Sequence, residues 1–370
     1  MAKILFIMFF WLFSLVASAI ENQTQVAGTA KSELSLEDLM NLTVSVASLT
    51  DLKERESPGI VTVITEEDIA GSGARDLVDV LMNVPGFSFG FDVQGVDGLA
   101  VRGNWVHEGK FLLLWNGFEM NDMLYACTPL GNRFPVEQIK RIEIIRGPGS
   151  AIYGGFAELA VVNIITKGAE DLKGLDFKVH NGLTDSVYTG GSLNIQAGKK
   201  TDDLSVRSAA YLGSTMRSDQ TYTDFSGFSY SMQDASRIKE MLFGLDLSFK
   251  RLESKFLAER YVVQSQDFFA KAAPGPRDLF FDTLAFRVKY RQPIAATFSL
   301  TPELSYTFNR PWFANETRDR EISESVFVVD GEETTPYAGF SSDRSARRLR
   351  IGARADYDYL DFFNFIAGID

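Results

Sequence analysis

The stretch IKRIEIIRGPGSAIYGGFAELAVVNIITK, residues 139–167, holds two β-prone runs separated by a glycine-rich connection. Glycine and proline are the residues that a chain uses where it must turn sharply or let another backbone approach closely. The second run, residues 160–166, is apolar almost throughout, as expected for a strand covered on both faces. Its one amide, Asn163, must therefore find hydrogen-bond partners inside the protein. The stretch predicts two paired strands joined by a tight connection.

The sequence of this stretch resembles the end of the plug domain of TonB-dependent outer-membrane receptors. In that family I-E-x-I-R-G-P, then Y-G, then V-x-N-I-I-T-K recur at this spacing. The matching residues here are Arg146, Gly147, Pro148, Tyr153, Gly154, Asn163, Ile164, Ile165, Thr166 and Lys167. Ala160 departs from the glycine that is usual in the family, but alanine is small enough to keep the packing close.

Three shorter runs extend the resemblance in the family's order. They are V-I-T-x-E-D-I at residues 63–69, L-x-x-V-P-G at residues 81–86 and V-R-G at residues 101–103. The resemblance therefore covers about residues 36–167.

Changes in composition along the chain predict four regions. Residues 1–19 carry Lys3, an apolar run and an Ala-Ser-Ala site, which is typical of a cleaved signal peptide. Residues 20–50 are predicted to be a mobile N-terminal segment, polar and without periodicity to about residue 35, with a β-prone run at residues 42–48. Residues 51–168 are the predicted plug domain, and residues 169–370 are the predicted N-terminal portion of an outer-membrane β-barrel.

Helical and strand patterns alternate in residues 51–168, which predicts an α+β domain. Thr65 and Asp68 resemble a capping box, and we expect Gly71 and Gly73 to end the helix that follows. Asn116-Gly117 predicts a two-residue hairpin turn. A second helix is predicted from apolar residues at helical spacing, namely Leu77, Val80, Leu81 and Val84. The predicted strands cover residues 60–64, 99–102 and 111–115, and the predicted loops cover residues 90–98, 104–109 and 121–134.

After Lys167 the pattern becomes antiparallel transmembrane β-strands, in segments of roughly ten residues that alternate apolar with polar side chains. Their connections alternate between short and long, which is typical of outer-membrane barrels. About nine strands are predicted, beginning near Gly174, Val187, Leu204, Met241, Lys255, Phe281, Ala296, Arg347 and Phe362.

A barrel wide enough to hold a plug uses about 22 strands, because diameter grows with strand number. Nine strands cannot close around a plug domain. The barrel portion is therefore expected to be incomplete, and the chain to be the N-terminal part of a longer receptor.

Composition argues against several other classes of protein. The formal net charge of −12 does not fit a nucleic-acid-binding surface. The two histidines, His107 and His180, and the single cysteine, Cys127, show no metal-ligand spacing. No catalytic signature stands out, so we expect neither an enzyme nor a cofactor.

The resemblance implies an active transporter that binds a scarce solute outside the cell. The expected cargo is a ferric siderophore, with cobalamin, haem or a glycan as alternatives, and a non-functional truncated receptor as a further one. The implied partners are the periplasmic TonB coupling protein, the small-molecule ligand and outer-membrane lipid. A passive porin or adhesin would lack the α/β plug, and a secreted glycosidase would need two facing carboxylates at a defined separation.

Two candidate sites follow from the resemblance. The TonB box, which pairs with the coupling protein as an added strand, is expected at Thr43, Val44, Ser45, Val46 and Ala47. A first plug strand or a linker is the alternative for this run. Ligand contacts are expected from the plug loops at Trp105, His107, Tyr125, Asn132 and Arg133.

Overall fold

The computed structural model describes most of the chain from residue 61 onward. The described residues are 43–44, 52–53, 61–92, 96–106, 109–147, 153, 156–172, 174–184, 187–224, 226–266, 275–314, 327–329, 332–334, 344–359 and 363–369. They separate into two compact units, and the division falls between Lys167 and Gly168. The predicted signal peptide lies outside the described residues.

The first unit contains ten strands and two α-helices. In chain order they are β1 (Thr43–Val44), β2 (Leu52–Lys53), β3 (Val61–Thr65), α1 (Glu66–Ser72), α2 (Leu77–Leu81), β4 (Phe87–Phe91), β5 (Asp97–Val101), β6 (Asn104–Trp105), β7 (Phe111–Trp115), β8 (Phe118–Glu119), β9 (Ile139–Ile145) and β10 (Ala160–Thr166). A mixed five-stranded sheet has the order β3-β9-β10-β7-β8. The α+β class predicted for this region is confirmed.

β10 lies at the centre of that sheet. It pairs antiparallel with β9, as predicted, and parallel with β7, which the sequence did not indicate. Val161, Val162 and Ile164 are fully buried, because both faces of the strand are covered. On one side Val161 joins a core cluster with Val61 and Leu112.

Both helices begin as their sequences predict. The Thr65 side chain accepts from the Asp68 backbone N–H, and the Asp68 carboxylate accepts from the Thr65 N–H, so the capping box is present. The helix ends at Gly73, whose φ of 69° suits glycine. Gly71, in contrast, lies inside α1, so the prediction that it helps to end the helix is wrong.

The hairpin turn at Asn116-Gly117 is confirmed. Both residues have positive φ, 50° and 83°, as a two-residue turn between β7 and β8 requires. The Asn116 side chain also accepts from the Thr166 N–H and donates to the Thr166 hydroxyl. The turn is thereby fastened to the end of β10.

A three-stranded sheet, β4-β5-β6, replaces part of two predicted loops. β4 ends at Phe91, β5 begins at Asp97, and β6 occupies positions 104 and 105. The glycine content of residues 90–98 led to the prediction of a loop, because glycine lowers strand propensity although it does not prevent strand pairing.

The second unit is built on an antiparallel sheet. Its strands and short hairpins are β11 (Gly174–Thr184), β12 (Val187–Lys200), β13 (Leu204–Met216), β14 (Thr221–Thr223), β15 (Ser229–Ser231), β16 (Arg237–Phe249), β17 (Leu252–Ser265), β18 (Arg277–Tyr290), β19 (Gln292–Ala295), β20 (Phe298–Ala314), β21 (Phe327–Val329), β22 (Glu332–Thr334), β23 (Ala346–Tyr359) and β24 (Phe363–Ile369). Nine of them follow one another in the order β11-β12-β13-β16-β17-β18-β20-β23-β24, and β19 pairs with β20. The nine predicted strands are confirmed. Short and long connections alternate from β12 onward, whereas the connection between β11 and β12 is short, which is the one expected exception.

The two faces of this sheet differ in polarity, and it is the apolar face that is exposed. In β12 the polar Asn194 and Gln196 are buried, whereas Leu193 and Ile195 are half-exposed. We call the outward face the apolar face; its most exposed large side chains include Leu212, Phe249, Phe286, Leu300, Leu304, Leu349 and Ile351. Among the described residues, no helix is long and apolar enough to cross a membrane.

Candidate functional site

The loop of residues 121–134 connects β8 to the 3-10 helix Val136–Gln138 and is held in place from within. The buried Asn121 accepts from the Leu113 N–H at 2.9 Å and donates to the Phe111 carbonyl at 2.8 Å. The same amide donates to the Ala126 carbonyl at 3.0 Å. Buried backbone groups need partners, and this one side chain supplies them for both β7 and the loop.

Asp122 shapes the next turn of the loop. Its carboxylate accepts from the N–H groups of Leu124 at 2.9 Å, Tyr125 at 2.6 Å and Cys127 at 3.1 Å. Burial raises the pKa of Asp122, and the three N–H donors oppose that rise. The turn is therefore built around a carboxylate that most loops would expose.

Two further carboxylates hold the far half of the loop. Asp97 accepts from the N–H groups of Leu130 at 2.7 Å and Gly131 at 2.8 Å. Asp76, the N-cap of α2, accepts from the Asn132 N–H at 3.0 Å, and burial raises its pKa. The loop is tied to β5 and to α2 at once, so its conformation is set by the body of the unit.

Several apolar side chains lie exposed on this unit. Tyr125 at the tip of the loop is 40% exposed, and Trp105 in β6 is 41% exposed. The Trp105 ring lies against β4 at Gly90, where a Cβ would be in ordinary van der Waals contact with it at 3.5 Å. Phe91, at the end of β4, and Leu124 are also exposed. Exposed aromatic groups on a rigid support are suited to binding a ligand.

The other predicted ligand contacts are less exposed or lie outside the described residues. Arg133 is only 2% exposed, and its guanidinium donates to the Thr128 hydroxyl at 3.0 Å and the Pro129 carbonyl at 3.2 Å. It also packs over the Phe134 ring. This burial does not agree with the predicted ligand contact, because the guanidinium is hydrogen-bonded inside the loop. Asn132 is half-buried with a φ of 52°, and His107 lies outside the described residues.

Several residues of the family motif at the end of the first unit are buried or hydrogen-bonded to one another. Glu143, fully buried in β9, accepts from Arg141 Nε at 2.8 Å and from Asn163 Nδ2 at 3.5 Å. Burial, with a smaller contribution from the Glu143 charge, raises the pKa of Tyr153 to about 12. The Arg146 carbonyl accepts from Arg102 at 3.0 Å. Gly147 follows β9, whereas Pro148 and Gly154 lie outside the described residues.

The candidate TonB box is described only at its first two residues. Thr43 and Val44 form β1, which pairs antiparallel with β2 in the register Thr43 to Lys53 and Val44 to Leu52. Ser45, Val46 and Ala47 lie outside the described residues. The described part is thus an extended segment that already pairs with another strand.

Neither a metal centre nor a reactive thiol emerges from the described part of the chain. No group of three or more His, Cys, Asp or Glu side chains there could hold a metal ion. Cys127, the single cysteine of the sequence, is buried, and its Sγ donates to the Tyr125 carbonyl at 3.5 Å.

Sequence reasoning overlooked the side chains that hold the loop, namely Asp76, Asp97, Asn121 and Asp122. One signal was present in the Asn121-Asp122 pair, because Asn and Asp after a strand commonly bond the backbone ahead of them. The hydrogen bonds of Asp97 and Asp76 join residues far apart in the chain, so the neighbouring sequence could not reveal their partners.

Comparison with known proteins bears on the first unit most directly. The sequence model of the TonB-dependent Receptor Plug Domain matches residues 53–160. The vitamin B12 transporter BtuB of Vibrio vulnificus (strain CMCP6) is 33% identical over 113 residues, which is 30% of this chain and 18% of that protein.

Solved structures resemble both units. The siderophore receptor PirA of Acinetobacter baumannii aligns with 85% of this chain and 47% of its own, with 19% identity and a TM-score of 0.54. A mutant of the ferric enterobactin receptor PfeA of Pseudomonas aeruginosa, in complex with enterobactin, aligns with 85% of this chain and 49% of its own, with 20% identity and a TM-score of 0.55. At this identity the likeness shows the fold alone. The chain spans about half the length of these receptors.

Proposed function

Because the chain carries the plug domain of the TonB-dependent receptors, followed by antiparallel strands like those of their barrels, we propose that it serves in TonB-dependent import across the outer membrane. The observation that carries the proposal is the match of residues 53–160 to the plug domain. Porins and adhesins carry no such α/β plug. The related proteins that were compared are transporters or receptors.

The reversed polarity of the second unit supports a place in the membrane. Leu349 is 62% and Ile351 70% exposed on the apolar face, while charged groups such as Arg207 are buried on the other. In water each exposed Å² of apolar surface costs about 25 cal/mol, so a soluble sheet would turn these faces the other way. Lipid removes that cost.

The proposed cargo is a ferric siderophore, and its proposed contacts in the first unit are the exposed aromatic groups of Tyr125 and Trp105. Cobalamin is the second candidate, because a vitamin B12 transporter is 33% identical to this chain over 113 residues. Catecholate siderophores and cobalamin both offer conjugated rings to aromatic side chains.

For coupling, we propose that residues 43–47 pair with the TonB protein as an added strand. β1 and β2 are two residues long, so their pairing is weak and can be exchanged for a longer strand. Pulling on that strand would then open the plug locally.

Uptake by living cells tests the proposal. The full-length protein is expressed in cells that lack their own receptors, and labelled ferric catecholate siderophore and labelled cobalamin are supplied separately. Accumulation of one ligand that disappears in cells without TonB is the expected result. Equal accumulation with and without TonB would contradict an active receptor, and accumulation of cobalamin alone would favour the second cargo.

A further inference from the structure

Charges gather on the upper part of the apolar face, whereas toward the short connections Lys199 of β12 lies on the same face, opposite Val206. Lys239 of β16, Arg260 of β17, Arg310 of β20 and Arg347 of β23 stand on consecutive sheet strands around Asp282 of β18. We call these five residues the basic cluster. Four cations and one carboxylate leave it with a net positive charge. Arg237 and Asp278, further along the same strands, add one charge of each sign.

Strand register puts the whole basic cluster on the apolar face. Arg260 stands opposite Asp282, and Asp282 opposite Arg310. Successive positions on a strand alternate between faces, so these three share a face with Leu284 and Phe286. Lys239 stands opposite Val262, two positions from Arg260, and Arg347 opposite Phe308, two positions from Arg310.

Asp282 organises the centre of the cluster. Its side chain is almost fully buried and accepts from Arg260 Nε at 2.7 Å and Nη2 at 2.9 Å. Arg310 Nη2 donates to the same carboxylate at 2.7 Å. One carboxylate thus holds two guanidinium groups side by side, each about a fifth exposed. Paired guanidinium groups suit bidentate recognition of phosphate.

The cluster lies at one level of the sheet, toward the long connections. Arg260 follows Leu252, at the short-connection end, by eight positions. At about 3.3 Å per residue and a tilt of about 40°, that places it roughly 20 Å higher, near the upper boundary of an apolar band about 25 Å tall. Aromatic residues mark the lower boundary at Phe249, Tyr290, Phe298 and Tyr357.

Aromatic side chains accompany the cations. The guanidinium of Arg310 lies 4.2 Å from the Phe313 ring centroid, that of Arg260 5.9 Å from Phe280, and that of Arg347 5.8 Å from Phe308. A ligand bound here meets positive charge above and exposed apolar surface below. An anion from solution would gain nothing from the apolar part, whereas a phosphorylated lipid uses both.

We propose that the basic cluster binds the phosphorylated headgroup of a glycolipid in the outer leaflet, with its acyl chains on the apolar face below. This rests on the proposed function, since it requires the sheet to span the outer membrane with its long connections outside. The site lies on the face opposite to the buried polar side chains of the sheet, such as Asn194 and Gln196.

The test measures binding of lipid A, with and without its phosphates, to the full-length protein in detergent. The variant Lys239→Gln/Arg347→Gln removes two exposed cations and leaves the Arg260–Asp282–Arg310 contacts intact. We expect it to bind phosphorylated lipid A at least about tenfold more weakly, since each cation near an anionic lipid surface contributes about 1 kcal/mol. Wild-type protein should bind lipid A without phosphates weakly, and excess inorganic phosphate should not displace the phosphorylated form.

The matched control is Lys250→Gln/Arg251→Gln, which removes two cations from the turn at the other end of β16 and β17. It should bind lipid A like the wild type. Equal binding by wild type and Lys239→Gln/Arg347→Gln, equal loss in the control, or displacement by inorganic phosphate would overturn the inference. A heat-dependent shift in gel mobility verifies folding of each variant.

The assay separates this inference from the proposed function. TonB-dependent uptake by a protein that does not bind lipid A would overturn the inference alone. Phosphate-dependent lipid binding without uptake would support it and count against the transport proposal.

Discussion

Asp97 and Leu130 are joined by a hydrogen bond of 2.7 Å from the Leu130 backbone N–H to the Asp97 carboxylate, across 33 positions of sequence. The same oxygen accepts from Gly131, so one side chain of β5 holds the far end of the 121–134 loop. The loop that presents Tyr125 is for this reason part of the folded body rather than a free connection.

Replacing Asp97 by alanine should loosen this loop. Two N–H groups would lose their acceptor, at a cost of about 1–3 kcal/mol for each that stays buried. Amide hydrogen exchange of residues 121–134 in the full-length protein should accelerate, while that of β10 should not change. Glu67→Ala, an exposed change in α1, is the control. Unchanged exchange in the Asp97→Ala protein would show that the loop is held by other contacts.

Alanine at Trp105 or Tyr125 should weaken binding of the imported ligand by about 1 kcal/mol or more each, because large aromatic contacts carry much of a binding energy. Arg133→Ala should instead lower the stability of the domain, since its guanidinium is buried and bonded within the loop. Met82→Ala, at an exposed apolar side chain, is the control for surface changes. Equilibrium binding to whole cells measures the first effect. Full affinity in the Trp105→Ala/Tyr125→Ala protein would remove both residues from the ligand site.

Proline at Val44 or Val46 should abolish uptake but leave ligand binding at the cell surface intact. Proline has no backbone N–H and cannot complete a strand ladder. Val44→Thr keeps both the N–H and the β-branched shape, so it should import normally. Uptake and surface binding are measured on the same cells. Normal uptake by both proline variants would place the coupling segment outside residues 43–47.

The phenol of Tyr153 should titrate near pH 12 in the folded protein. The difference in ultraviolet absorbance between wild type and Tyr153→Phe isolates this one group. Glu143→Gln should lower the midpoint only in part, because burial is the larger cause and the Glu143 charge the smaller.

The raised pKa of Tyr153 also predicts how the stability of the folded protein changes with pH. It lies above the ordinary value of 10.0, so the contribution of Tyr153 is complete below pH 10 and is lost as the pH rises through about 12. A midpoint near 10 in the folded wild type would mean that the ring is not buried in solution.

The amino-acid sequence predicted those elements that depend on contacts between residues close together in the chain. The capping box at Thr65, the turn at Asn116-Gly117 and the alternation of the long strands each depend on neighbours a few positions away, and all three are confirmed. The parallel pairing of β10 with β7 and the reach of Asp97 to Leu130 depend on residues far apart. A single sequence contains no signal for such pairs. The same reason explains why the burial of Arg133 was not predicted. An arginine suggested a surface contact, whereas its burial depends on the residues packed around it.

The position of β10 between β9 and β7 has a consequence for the order in which the first unit assembles. β9 and β7 are made earlier, but they share no ladder until β10 enters between them. Every species lacking residues 160–166 therefore has two strands with unpaired edges, which invite pairing with other chains. During synthesis the domain stays vulnerable to aggregation until its last strand is available, and a chaperone would have to shield it during that interval.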